Sequence, residues 1–329
     1  SPSVRKAALI ALDQLKSDKL TADHAIAFLN SDSEDLRKTG LWVASRHPEW
    51  SGSVLALLEE KVNASDFAPE TAGGIREVIL AYAQDTNVQA FMARVAGDDA
   101  APAPRRLFML ETIEKTALNP LPEGMVLSVG KSLQAGDASL RYRAATLIAS
   151  RSIAVFDEQL FALADNAGET SALRLSALGT ALTRKPELNE SRYAFLLENL
   201  GEKIDPAQRL SAGKVIGGAK LTNDQLRVLA EQYLPNADAL TYPALLDAFK
   251  NGGDDAVGQA LVKSLSTAAI QPSMIPGGLD ALLASYPDAV KQAAAPLRAQ
   301  VEAEEKARLE KLATIEPLIG HGDVGRGRQ

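Results

Sequence analysis

Ser3-Val-Arg-Lys-Ala-Ala-Leu-Ile-Ala-Leu12 combines a polar entry, an arginine and a run of alanine and leucine, and it recurs. The same order returns at Asp35-Leu-Arg-Lys-Thr-Gly-Leu-Trp-Val-Ala44 and at Ser139-Leu-Arg-Tyr-Arg-Ala-Ala-Thr-Leu-Ile-Ala149. It returns again at Ala172-Leu-Arg-Leu-Ser-Ala-Leu-Gly-Thr-Ala-Leu182 and Ala207-Gln-Arg-Leu-Ser-Ala-Gly-Lys-Val-Ile216. Weaker copies surround Arg76 and Arg106, and a degenerate one lies near Thr241. Aligning Arg5, Arg37, Arg76, Arg106, Arg141, Arg174, Arg209 and Thr241 gives gaps of 32, 39, 30, 35, 33, 35 and 32. A period of about 34 residues belongs to architectures that stack one helical hairpin on the next.

Each copy is predicted to hold two helices. In the first, Val4, Ala8, Ala11, Leu12 and Leu15 recur at helical spacing and form one apolar face. A second helix is expected after Thr21 or Asp23, with Ala25, Ile26, Phe28 and Leu29 facing inward. The turn Asn30-Ser-Asp-Ser-Glu34 then supplies N-cap chemistry for the next unit. No segment alternates polar and apolar residues with β-branched enrichment, so strands are not expected. The pattern resembles HEAT repeats across residues 1–287, which implies an all-α, armadillo-like solenoid of about eight hairpins.

Composition narrows the function classes. The 329 residues carry a formal charge of −7, 46% hydrophobic and 5% aromatic residues, and no cysteine. The apolar share argues against wholesale disorder. No apolar run approaches the ~18 residues of a membrane span, so membrane insertion is not expected. The acidic balance opposes general nucleic-acid binding, which leaves a basic footprint. Without cysteine there is no disulfide, thiolate metal site, cysteine nucleophile or covalent haem attachment within these residues.

The arginine ladder is the most regular polar feature. An acid precedes several of its members by four or five positions: Asp32 before Arg37, Asp137 before Arg141, Glu169 before Arg174, Asp205 before Arg209. Such pairs would tie one repeat to the next. The competing reading is a basic strip that holds an acidic partner. The histidines His24, His47 and His321 have no His at i+3 or i+4 and no His-Glu dipeptide, so no metal site is expected. His24 is predicted to be exposed early in its helix. In Trp42-Val-Ala-Ser-Arg-His-Pro-Glu-Trp50 the expectation is a core Trp42 and a Trp50 that covers the turn after Pro48, with an aromatic recognition patch as the alternative. Gly-x-Ser-x-Gly, the phosphate-binding loop and Gly-x-Gly-x-x-Gly are all missing. Gly217-Gly218, Gly252-Gly253 and Gly277-Gly278 read as turns between helices. No catalytic or cofactor-binding residue is assigned.

After Pro287 the chain becomes rich in Ala, Glu, Lys and Leu, and 288–319 is read as a closing helix, kinked at Pro296 and ended by Gly320. The chain opens at Ser1 directly in a helical pattern and closes on a basic, glycine-rich run, so we expect a segment of a longer polypeptide. The run Ile315-Glu-Pro-Leu-Ile-Gly-His-Gly-Asp-Val-Gly-Arg-Gly-Arg-Gln329 resembles the lead-in to a class I cytochrome c domain. With the opening helix and the Trp42 to Trp50 segment, it resembles the HEAT-repeat region of the PVC-type haem-binding, membrane-bound dehydrogenase family. There a dehydrogenase-like β-propeller precedes the repeats and a cytochrome c domain follows them.

That resemblance implies residues 320–329 as a linker towards a haem domain outside these residues. It further implies haem c only in that domain, flanking propeller and cytochrome c modules as partners, and a periplasmic or envelope location. The role it implies is a non-catalytic scaffold between those modules. The alternative is a free-standing adaptor that takes a protein or peptide in a concave groove.

Overall fold

A computed structural model describes residues 1–70, 72–267 and 278–315. The described chain is all-α; a single bridge, Glu187 to Lys220, belongs to no strand. No helix among these residues is long and apolar enough to cross a membrane. Two compact units divide between Ala162 and Leu163.

Unit 1 holds α1 (Pro2–Gln14), α2 (Ala22–Leu29), α3 (Glu34–Ala44), α4 (Ser51–Asn63), α5 (Gly73–Ala81), α6 (Thr86–Ala96), α7 (Ala103–Lys115), α8 (Glu123–Leu133) and α9 (Ala138–Ser150). The odd-numbered helices pack in series from α1 to α9, and α2, α4, α6 and α8 do the same in a second layer. Hairpins α2–α3, α4–α5, α6–α7 and α8–α9 join the layers. α10 (Asp157–Asp165) carries the chain through the division.

Unit 2 holds α11 (Ser171–Leu182), α12 (Glu190–Glu198), α13 (Pro206–Gly218), α14 (Asn223–Val228), α15 (Tyr242–Leu246), α16 (Asp255–Thr267), α17 (Gly278–Leu283), α18 (Asp288–Ala293) and α19 (Ala295–Ile315). In it α11, α13 and α15 pack in series, and α16 packs on α14, α18 and α19. A π-helical turn, Leu229–Tyr233, extends α14.

Small residues set how closely these helices approach. Ala144, Ala145, Ala177 and Ala181 are fully buried at helix contacts. Gly40 goes further: a Cβ there would stand 2.7 Å from the Phe28 Cβ and 3.0 Å from the Leu29 nitrogen, so α2 runs directly over α3 at this point. Gly217 and Gly218, expected in a turn, instead form the last turn of α13, where the missing side chain of Gly217 admits the Ala244 carbonyl. Gly252, with φ +81°, is the turn residue expected of it. The positive φ of Lys16 and Ser152 has a local cause. Ser17 donates to Leu12 O and Lys16 to Asp13 O, and Ile153 and Ser152 repeat the pattern on Ile148 and Ala149, closing both helices with Schellman turns.

Three further expectations change. The apolar face of α1 is not buried: the helix buries Leu9 and Asp13, while Val4 and Leu15 are 67% and 78% exposed. Periodicity identifies a stripe but not whether a neighbour covers it. Trp42 is 43% exposed, because Val43 and Ala44 take the core positions; the Arg46 guanidinium lies 5.0 Å above its ring. Trp50 does close over Leu9, Phe28, Leu36 and Val43. The helix expected from 288 is two helices divided at Ala294. Pro296 has no N–H for the preceding turn, and its ring crowds the carbonyl there. Residues 316–329, with Gly320, His321 and the linker, lie outside the described residues, as does Gly277.

The close approach at Gly40 is testable. Gly40→Leu should lower the unfolding free energy by about 1–3 kcal/mol through overpacking. Gly52→Ala, in α4 with nothing within 4 Å of the added methyl, should be neutral or stabilising in the same denaturant melts.

Candidate functional site

The ladder arginines share one address. Arg5, Arg37, Arg76, Arg106, Arg141, Arg174 and Arg209 each stand four residues after the N-cap of their helix. From there a long side chain can fold back onto the turn that enters the helix. Arg37 Nη1 donates to Ser31 O and Asp32 O at 2.8 Å, and Arg141 Nη1 to Ala135 O and Gly136 O at 2.6 and 2.8 Å. Arg209 Nη1 reaches Glu202 O and Ile204 O, and Arg174 Nε reaches Ala164 O at 2.7 Å while its guanidinium covers the Phe195 ring at 3.8 Å. Arg106 is buried, donating to Ala96 O, Asp99 Oδ1 and Ser132 Oγ. The eighth copy is out of register, since Thr241 is itself the N-cap residue of α15.

Two of the preceding acids cap their helices. Asp137 caps α9 by accepting from Ser139 N and Leu140 N, and Asp205 caps α13 from Ala207 N and Gln208 N. Arg37 uses the Asp32 carbonyl rather than its carboxylate. Glu169 sits in the turn before α11, its N–H donating to Asn166 O. The charge partner of Arg209 is Asp238, 3.0 Å away and 29 residues ahead. Burial alone would raise the Asp238 pKa, but the Thr241 and Leu240 N–H groups, the Thr241 hydroxyl and the Arg209 charge outweigh it and hold the carboxyl below its usual value. Arg37, Arg141, Arg174 and Arg209 are half-buried against main-chain oxygens; Asp32, Asp137 and Asp205 are exposed and Glu169 is half-buried.

Ion pairs do cross between helices, and apart from the ladder arginine Arg76 they use residues the sequence did not single out. Glu111 on α7 receives Arg76 from α5 at 2.8 Å and Arg143 from α9 at 3.0 Å, and Arg143 also holds Glu114 at 3.0 Å. Glu111 and Glu114 lie one to two turns past the arginine of their own copy, Arg106, where the copies no longer resemble one another.

One further cluster gathers titratable groups. His47 is held between Asp13 (Nε2 to Oδ1, 2.9 Å) and Glu49 (Nδ1 to Oε1, 2.6 Å), and its ring stacks on Trp50 at 3.9 Å. A carboxylate against each ring nitrogen requires both nitrogens to carry protons, so the geometry is that of an imidazolium. Partial burial pulls the His47 pKa down, but the bonds and charges of Glu49 and Asp13 outweigh it and the net shift is upward. Asp13 is 5% exposed, and Arg46 Nε stands 3.1 Å from its Oδ2 as an ion pair out of line for a hydrogen bond. The cluster clips the end of α1 to the turn after α3, beside an open cleft of about 380 Å³. His24 caps instead: its Nδ1 accepts from Thr21 N at the start of α2.

A second cleft, of about 320 Å³ in unit 2, lies beside Arg209, Tyr233 and Asp238. Among the described residues no three His, Cys, Asp or Glu side chains converge as a metal-ligand set. No protein-family model matches the chain, and no curated protein matches it.

Two outcomes follow from this geometry. Because the folded His47 pKa lies above 6.5, its contribution is complete below pH 6.5 and is lost as pH rises through the higher folded value. The melting temperature should therefore fall between pH 6 and 9, and His47→Gln should flatten that slope. Arg106→Leu should cost about 1.5–3 kcal/mol in urea unfolding, since it removes a charged donor from the buried Ala96 carbonyl, leaving that oxygen only the Ser132 hydroxyl, and breaks the contact with Asp99.

Proposed function

We propose that this chain is a non-catalytic scaffold and protein-interaction domain of HEAT type. In the fuller form of that reading, it links a dehydrogenase-like propeller to a haem c electron-transfer domain of a larger envelope protein. The observation that carries it is the repeated arginine address. Each guanidinium that folds back locks a helix to the turn before it, so those hairpins are oriented by their immediate neighbours. A stack built this way behaves as a stiff, nearly one-dimensional spacer, which suits an element that fixes the separation of two modules. The named modules and the envelope location rest on the sequence resemblance.

The polar chemistry at hand fits this role. The buried and half-buried charged groups described above bond to backbone oxygens, backbone N–H groups or each other, so they orient helices.

The test is the mass and absorption spectrum of the gene product purified from its native host. A mass well above 34.9 kDa with c-type haem bands supports the scaffold between redox modules. A mass near 34.9 kDa without haem would overturn it in favour of a free-standing adaptor. The 329 residues alone should fold without haem and give no Soret band after reconstitution.

A further inference from the structure

The exposed stripe on α1 has exact register equivalents in α3 and α9 of unit 1, all of them covered. Counted from the N-cap Ser1, Val4, Ala8 and Ala11 occupy positions three, seven and ten. In α3, counted from Ser33, those positions are Leu36, Gly40 and Val43; in α9, counted from Asp137, they are Leu140, Ala144 and Leu147. All six are buried, whereas Val4 is 67% exposed and Ala8 and Ala11 are exposed with it. Gly40 shows what does the covering. Phe28 and Leu29 of α2 lie so close that no side chain fits, and α8 packs on α9 as its hairpin partner.

A second, polar observation coincides with the first. At the following position, Arg37 and Arg141 donate to the carbonyls of the turns that leave α2 and α8. Arg5 has the same address, but among the described residues its guanidinium makes no hydrogen bond or ion pair; it lies 5.2 Å over the Phe28 ring. A bare stripe and an unspent guanidinium therefore stand where the internal hairpins receive a helix and its closing turn.

We propose that α1 is a docking face for one amphipathic helix, supplied by the module the scaffold carries at this end, seated as α2 is seated on α3. The inference rests on the scaffold reading above and names the chemistry of the contact. The incoming helix carries small and large apolar residues at the spacing of Ala25, Phe28 and Leu29. Its last turn presents main-chain carbonyls to Arg5. Small side chains at Ala8 and Ala11 let the two backbones come close, as Gly40 does for α2.

The probe is a fluorescein-labelled peptide of residues 20–33, which contains α2 and its turns, stapled between its exposed positions 23 and 27 so that helix ordering does not mask binding. Titrated with the 329-residue protein, it should show saturable anisotropy with one site per chain. Ala8→Arg should weaken binding at least tenfold and Arg5→Gln severalfold, both with unchanged far-UV melts because the two side chains are exposed. Absence of saturable binding would overturn the proposal, as would equal affinity for Ala8→Arg. A concentration-dependent dimer abolished by Ala8→Arg in sedimentation velocity would also overturn it, by making a second copy the occupant. Failure here leaves the native mass and haem spectrum untouched, so the two readings fall separately.

Discussion

An arginine four residues into a helix, folded back onto the turn before it, is the contact on which the hairpin stack depends. A helix entry leaves backbone N–H groups unpaired, and the turn before it leaves carbonyls unpaired. The N-caps Asp137, Thr170 and Asp205 satisfy members of the first group, and the guanidinium of Arg37, Arg141, Arg174 or Arg209 satisfies members of the second. Carbonyls bonded to a charged donor hold the entering turn in one shape, and that shape sets where the next helix points. The arginine can be half-buried because a fixed, planar fork of donors fits several main-chain oxygens at once. Arg151 does the same at a helix end, gathering Ile113 O, Glu114 O and Thr116 O where α7 closes.

Packing completes what those clamps begin. With 5% aromatic residues, the chain cannot fill wide gaps between helices. Alanine and glycine at the contact positions bring backbones together instead, and leucine fills the spaces between. Each hairpin then depends on the one beside it for its core, which is why an end helix such as α1 shows the same stripe uncovered. The Asp13–His47–Glu49 clip adds a long-range tie at that end, where α1 has only one side of its packing complete.

Much of this architecture was legible before any coordinates. The period of the arginines matches the period of the N-caps, because side-chain length and helix geometry bind the two together. Thr21 as a cap and the inward Ala25 and Phe28 follow from local rules. The exposed Trp42 was not legible: an aromatic at helical spacing marks a face, and only the neighbouring helices decide whether that face is covered. Gly217 and Gly218 were misread for a related reason. A glycine pair signals a turn unless another backbone, here the Ala244 carbonyl, needs the space.

Local chemistry in the sequence thus determined the all-α class, the hairpin repeat, the caps and the arginine address, since each depends on residues within about one helical turn. The tertiary structure alone decided the partners of those groups. Asp238 for Arg209, the Arg76–Glu111–Arg143 network and the Asp13 carboxylate on His47 join residues 29 to 35 positions apart. Such pairs fall about one repeat apart, but which side chains meet depends on how far one hairpin is rotated and shifted against the next. That rotation is fixed by the packing of whole side chains, and no short window of sequence contains it.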